Sequence, residues 1–300
     1  MSTRIMVPLD GSYFSEQSLP TAVDLATRWH ADLHLVRVAE DLRNGATREV
    51  SRLVQESYLT DHAMQLRIES GLSVRVGMLQ GEIASALESY SRFSDIDLVV
   101  MTTHGRSGIS RIWVGSVADE LVRHSSVPVL MLRPQGQPAV RTPLNVNHIL
   151  VALDGTRESE RILDPALKIA RLMNARLSLV RVYEPELPTT YAAIVESQID
   201  HGVDRNLDAD AHDYMERIAH RMGEPGLRLD TIVLGDSTAA DGIVHTAARC
   251  KADLIAMNTH GRTGWQRIAF GSVESDVAAA THVPMLVQRI VPKPTMVVGA

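Results

Sequence analysis

The sequence predicts two similar α/β domains in one chain, each a parallel sheet covered by helices on both faces. Three observations lead there. The line THGRSGISRIWVGSV (103–117) returns 156 positions later as THGRTGWQRIAFGSV (259–273). Residues 4–40 align without a gap on 148–184, with 17 identities in 37 positions, and 97–134 align on 253–290 with 17 in 38. Short apolar runs alternate throughout with segments of helical periodicity. Unrelated sequences of average composition would share roughly two or three residues in such windows. A repeat this long is a domain duplication, not a solenoid.

The first half opens with the strand RIMVPLD, then the turn Gly11-Ser12. Residues 15–29 carry apolar side chains at helical spacing and predict one helix. LHLVRV is the second strand and 48–68 the second helix. LSVRVGML, a helix over 83–93 and the apolar strand DLVVM follow. A helix then runs from Ser116 to about His124, before the last strand PVLMLR. The second half repeats the strands as HILVALD, LSLVRV, LRLDTIVL, DLIAM and PMLVQR. Strands apolar on both faces belong to a parallel sheet with helices on each side. The expected divisions are a first domain at 1–134, a linker rich in Pro, Gln and Asn at 135–146, a second domain at 147–292 and a tail at 293–300.

Composition narrows the function. Thirty Lys and Arg against 36 Asp and Glu give a net charge of −6 with no basic block, so no phosphate-neutralising face for nucleic acid is expected. No apolar run has the length of a membrane span, and the N-terminus reads as a strand, so a cytoplasmic protein is expected. Cys250 is the single cysteine, which excludes an internal disulfide, and near the end of a predicted helix it is assigned no role.

In an open parallel sheet, ligands bind beyond the carboxyl ends of the strands. Both glycine turns follow such an end. Gly115 and Gly271 stand immediately before a helix, where a residue without Cβ lets a phosphate reach the free amides of the first turn. Ser116 and Ser272 either add a hydroxyl donor or serve only as helix N-caps. Asp119 would complete a capping box in the first half, while Ser275 replaces that acid in the second. Gly105 and Gly108, like Gly261 and Gly264, allow positive φ in the loop. Arg106 and Arg262, with Arg111 and Arg267, can pair with phosphates or simply face solvent. His104 and His260 read as loop-organising residues, since no further ligands stand near them in sequence. Asp10-Gly11 and Asp154-Gly155 end the first strands. Each acid can meet ribose hydroxyls or a nucleotide-bound Mg²⁺, or can cap the turn as an Asx residue. Glu16 and Glu160 are expected to face solvent. No P-loop, no nucleophile elbow and no nucleophile–base pair is visible, so no catalytic residue is assigned.

These residues resemble a tandem universal stress protein over nearly the whole chain. That family's ATP signature, Gly-x2-Gly-x9-Gly-Ser/Thr, is met from its second glycine onward by Gly105 and Gly115-Ser116, and by Gly261 and Gly271-Ser272. The first glycine is replaced by Thr102 and by Asn258. The resemblance implies two Rossmann-like domains, each a five-stranded parallel sheet in the order 3-2-1-4-5 with helices on both faces, their fifth strands pairing with each other. It implies ATP, with Mg²⁺, as ligand. Asp10 and Asp154 would lie near ribose and metal, the backbone of Val38 and Val182 near adenine, and Val117 and Val273 beside the phosphates with the Gly-Ser turns. Expected partners are an adenine nucleotide, a second copy of the chain and a protein partner, with neither nucleic acid nor membrane. The function implied is an ATP-binding stress sensor or regulator with up to two sites per chain. The alternatives are a nucleotide-independent interaction module of the same fold and a slow ATPase.

Overall fold

The computed structural model describes residues 2–39, 45–103, 116–134, 142–184, 202–259 and 273–289. In the first half β1 (Arg4–Pro8), β2 (Asp32–Val38), β3 (Val74–Leu79), β4 (Leu98–Thr102) and β5 (Val129–Leu132) alternate with α1 (Tyr13–Glu16), α2 (Leu19–Trp29), α3 (Gly45–Ser70), α4 (Ile83–Phe93) and α5 (Ser116–His124). The second half carries β6 (His148–Ala152), a 3-10 turn (Ser159–Ile162), α6 (Leu163–Met173), β7 (Arg176–Tyr183), α7 (Gly202–Met222), β8 (Leu229–Gly235), α8 (Ala239–Cys250), β9 (Leu254–Thr259), α9 (Val273–Ala280) and β10 (Met285–Arg289).

The ten described strands form one sheet in the order β3-β2-β1-β4-β5-β10-β9-β6-β7-β8. Pairing is parallel within each half and antiparallel only where β5 meets β10, with Leu130 opposite Leu286. Each half therefore has the expected order, and the fifth strands join the halves. Alternation along the strands sends side chains to opposite faces. Ile5 and Val7 pack with α2 and α3, while Met6 packs with α4 and α5. The first face is continuous across the seam, since Leu130 and Leu286 belong to the same buried cluster as Ile5 and Ile149.

Local backbone repeats with the sequence. Gly11 and Gly155 have φ of 80° and 89°, His30 and Asn174 close α2 and α6 at 53° and 51°, and Asp95 and Lys251 stand at 46° and 54°. Substituting Val for Asn174 should destabilise the protein by ~1–2 kcal/mol through left-handed strain, whereas Gly should be tolerated. Thermal melts of the two variants distinguish these outcomes.

One predicted element is corrected. The single helix over 15–29 is instead a short turn, α1, followed by α2, because Pro20 lacks an amide hydrogen and fits only the first turn of a new helix. The second half breaks at the same place, its 3-10 turn preceding α6.

Helix α4 shows how exposed carboxylates act here. Glu82 accepts from the Ser85 side chain and amide (2.7 Å) and from the Ala84 amide (2.9 Å), and these bonds hold its carboxyl below the usual carboxylate range. A depressed folded pKa contributes stability above the unfolded value and loses it as pH falls through the folded one. The melting difference between wild type and Glu82→Ala should therefore be largest near neutrality and shrink as the solution is acidified.

Candidate ligand site at the switch point

Helices leave β1 and β4 toward opposite faces of the sheet, as they do from β6 and β9. The crevice between such a pair, at the carboxyl ends, is where this architecture binds ligands. Those predicted residues that are described stand at or near the carboxyl ends of the strands. Asp10 follows β1 and Thr102 ends β4, and these strands are neighbours in the sheet. Asp154 follows β6 and Asn258 lies near the end of β9, also neighbours. Val38 and Val182 sit at the ends of β2 and β7, one strand further out. Ser116 and Val273 begin α5 and α9, and Val117 is half-buried against the core. Gly105, Arg106, Gly108, Gly115, Gly261, Arg262, Gly264, Gly271 and Ser272 lie outside the described residues, as do His104, Arg111, His260 and Arg267.

The turn after β1 is built by side-chain bonds. The Ser12 amide donates to Asp10 Oδ1 (2.9 Å), an Asx turn, and the Ser15 amide donates to Ser12 Oγ (3.1 Å). In the second half the Thr156 amide and hydroxyl both donate to Asp154 Oδ1, at 2.8 and 2.6 Å, and the Ser159 amide donates to Thr156 Oγ1 (3.1 Å). Asp10 and Asp154 thus organise their own turns at the crevice mouth. Asp119 forms a bidentate pair with Arg123 at 3.0 Å, and the capping box expected with Ser116 lies outside the described side chains.

The expectation that Glu16 and Glu160 face solvent is overturned. Their side chains are only 15% and 17% exposed. Glu16 accepts from the Tyr58 hydroxyl (2.9 Å) and lies 3.5 Å from His62 Nε2, while Glu160 pairs with Arg221 at 2.5 Å. The long helices α3 and α7 lie over these acids and close them off. Burial, then the charge of Glu16, pushes the Tyr58 hydroxyl well above the ordinary phenol range, so it stays a proton donor. Tyr58→Phe leaves Glu16 short of one partner and should destabilise the protein by about 1–3 kcal/mol, read as a lower unfolding midpoint.

A layer that the motif reading missed supports both turns. Arg37, 8% exposed, donates from Nε to Gln55 Oε1 (3.1 Å), with its guanidinium carbon 5.3 Å from the Tyr58 ring centre. Arg181 stands 5.4 Å from the Tyr214 ring centre in the same way. A Cβ on Gly11 would come within 2.6 Å of Arg37 Nη1, and one on Gly155 would overlap Arg181 Nη1. The signal was present in the sequence: an arginine in each of two otherwise apolar LVRV strands, and a tyrosine at matching places on the long helices.

The two halves differ at the first-glycine position. Thr102 is buried at the end of β4. Asn258 reaches across to the first-strand turn and donates from Nδ2 to the Glu158 carbonyl (2.5 Å). No group of three or more His, Cys, Asp or Glu gathers into a metal cluster among the described residues. No described helix is long and apolar enough to cross a membrane. Cys250 closes α8, where burial pushes its thiol pKa up, away from activation.

A sequence model described as the universal stress protein family matches residues 1–133 and again 145–289. A universal stress protein of Mycobacterium tuberculosis is 25% identical over 97% of this chain and 96% of its own. One from Methanocaldococcus jannaschii is 26% identical over 43% of this chain and 81% of its own. The crystal structure of a universal stress protein from Archaeoglobus fulgidus superimposes with a TM-score of 0.72 at 18% identity, covering 96% of this chain and 99% of that one. At this identity the superposition establishes the fold.

Proposed function

Because the chain belongs to the universal stress protein family, we propose that it is a cytoplasmic stress-response regulator that binds ATP at the switch point of each half. The units 1–134 and 147–292 each carry one site in this reading. The observation that carries it is the placing of strand ends: Asp10 follows β1 beside β4, which ends at Thr102, and Asp154 follows β6 beside β9, which carries Asn258 near its end. Phosphates would lie on Gly105, Gly115, Ser116 and Val117, and on Gly261, Gly271, Ser272 and Val273, using free first-turn amides. Mg²⁺ would arrive with the nucleotide, with Asp10 and Asp154 as the protein's acids toward it. The ion would neutralise phosphate charge, and the chain's own residues would bind and orient. Such a site is suited to sensing and not to fast turnover, since no nucleophile–base pair accompanies it in the sequence.

Asp10→Ala with Asp154→Ala should weaken ATP binding at least several-fold in a calorimetric titration. Unchanged affinity would remove both acids from the site. One observation favours the interaction-module reading for the second half. The bond from Asn258 to the Glu158 carbonyl ties the rim of β9 to the turn after β6. If that reading holds, Gly115→Val with Gly271→Val leaves regulation intact, and a variant disrupting an interaction edge abolishes it.

A further inference from the structure

Arg37 and Arg181 occupy equivalent places, and comparing their surroundings isolates one difference. In the first half Arg37 has Gln55 as an acceptor, and the Tyr58 hydroxyl has Glu16. In the second half the residue matching Gln55 is Ala211, which is 1% exposed and offers only a methyl group. Glu160, matching Glu16, is engaged by Arg221 at 2.5 Å. Arg181 Nε and Nη1 are buried and make no hydrogen bond among the described residues, and the buried Tyr214 hydroxyl has only the Ser159 hydroxyl beside it. Ser159, beside Tyr214, directs its own proton to the Thr156 carbonyl at 2.8 Å. The result is a half-buried arginine with two buried N–H groups that lack an acceptor, beside a buried phenol. Proteins rarely leave such groups unanswered, because an unpaired buried charge is strongly destabilising.

We propose that Arg181 and Tyr214, beneath the Asp154–Gly155 turn, form a binding site for a small oxyanion, a phosphate or carboxylate group, which the first half lacks. A planar guanidinium with two open N–H groups suits an oxyanion, and the phenol adds a third donor. Burial pushes the Tyr214 hydroxyl pKa up, so it remains protonated and able to donate. The nearby acids do not exclude an anion. Asp154 Oδ1 is held by Thr156, and the charge of Glu160 is answered by Arg221. The donors are closed to solvent, so the anion enters when the turn at Gly155 lifts. Gly155, with φ of 89° and no side chain, sits where that movement is needed. The site uses no residue of the turns leading into α5 and α9, so variants there separate it from nucleotide binding, although its covering turn also carries Asp154.

The test uses the full chain, freed of nucleotide, with inorganic phosphate as the probe against sodium chloride at equal ionic strength. A ligand that binds only the folded state raises the melting temperature in a saturable way. The expected result is such a rise, with a shift of the Arg181 Nε–H resonance. Ala211→Gln, which restores the acceptor found in the first half, should abolish the resonance shift and, combined with Gly115→Val and Gly271→Val, the rise as well. If that variant fails to fold, Tyr214→Phe keeps the volume, removes one donor and should weaken phosphate binding several-fold. Gly115→Val with Gly271→Val should leave the phosphate response intact even where ATP binding is lost. No saturable response to phosphate overturns the proposal, as does an unchanged resonance shift in folded Ala211→Gln or in Tyr214→Phe.

Discussion

Leu286→Ala should lower the unfolding free energy by about 2–5 kcal/mol, the range for deleting a fully buried leucine from a packed core. Leu286 is 0% exposed and pairs across the antiparallel seam with Leu130, which is 1% exposed. The seam is where the two parallel half-sheets become one, so the loss falls on the junction of the halves. Leu130→Ala should have a similar effect. Because the two side chains share one site, the double variant should depart from the sum of the singles. Urea unfolding with separate probes in each half provides the check. One coincident transition in the wild type, splitting into two in the double variant, is the expected pattern. Unchanged stability in either single variant would mean that the seam contributes little.

The second large effect lies at the crevice. Gly11→Val and Gly155→Val meet two penalties at once. A branched side chain at φ of 80° or 89° is strained, at ~1–2 kcal/mol. The added carbon also runs into Arg37 or Arg181, and overpacking of this kind costs about 1–3 kcal/mol. Arginine ends normally swing aside, but Arg37 is held by Gln55 and lies over the Tyr58 ring. Adding Arg37→Ala to Gly11→Val should therefore recover the steric part and leave the backbone part, which a double-mutant cycle measures directly. ATP affinity should fall in Gly11→Val as Asp10 loses its turn. Full affinity in a folded Gly11→Val would separate the turn from ligand binding.

Much of the architecture was legible because duplication supplied an internal alignment. The apolar runs ending in Asp10 and Asp154 placed two first strands, and the PVLMLR and PMLVQR runs met at the seam. The helix over 15–29 was misread because Leu19, Ala22, Leu25 and Ala26 continue the period past a break that Pro20 imposes. Glu16 and Glu160 were misplaced because their burial depends on α3 and α7, far along the chain. A carboxylate after a turn looks solvated until a distant tyrosine or arginine closes over it. The supporting arginines belong to no motif, and only the third dimension shows why Gly11 and Gly155 must lack a side chain. Asn258 was legible as a departure from a glycine pattern, but its bond to the Glu158 carbonyl was not.

We propose that each half holds an adenine nucleotide at the crevice between its first and fourth strands. Nucleotide stoichiometry of the purified chain tests it most directly, by extraction and chromatography followed by titration with ATP and Mg²⁺. Retained or titratable adenine nucleotide, up to two per chain and lost in Gly115→Val with Gly271→Val, is the predicted result. A chain that carries none and shows no saturable heat or chemical-shift change with ATP would contradict it.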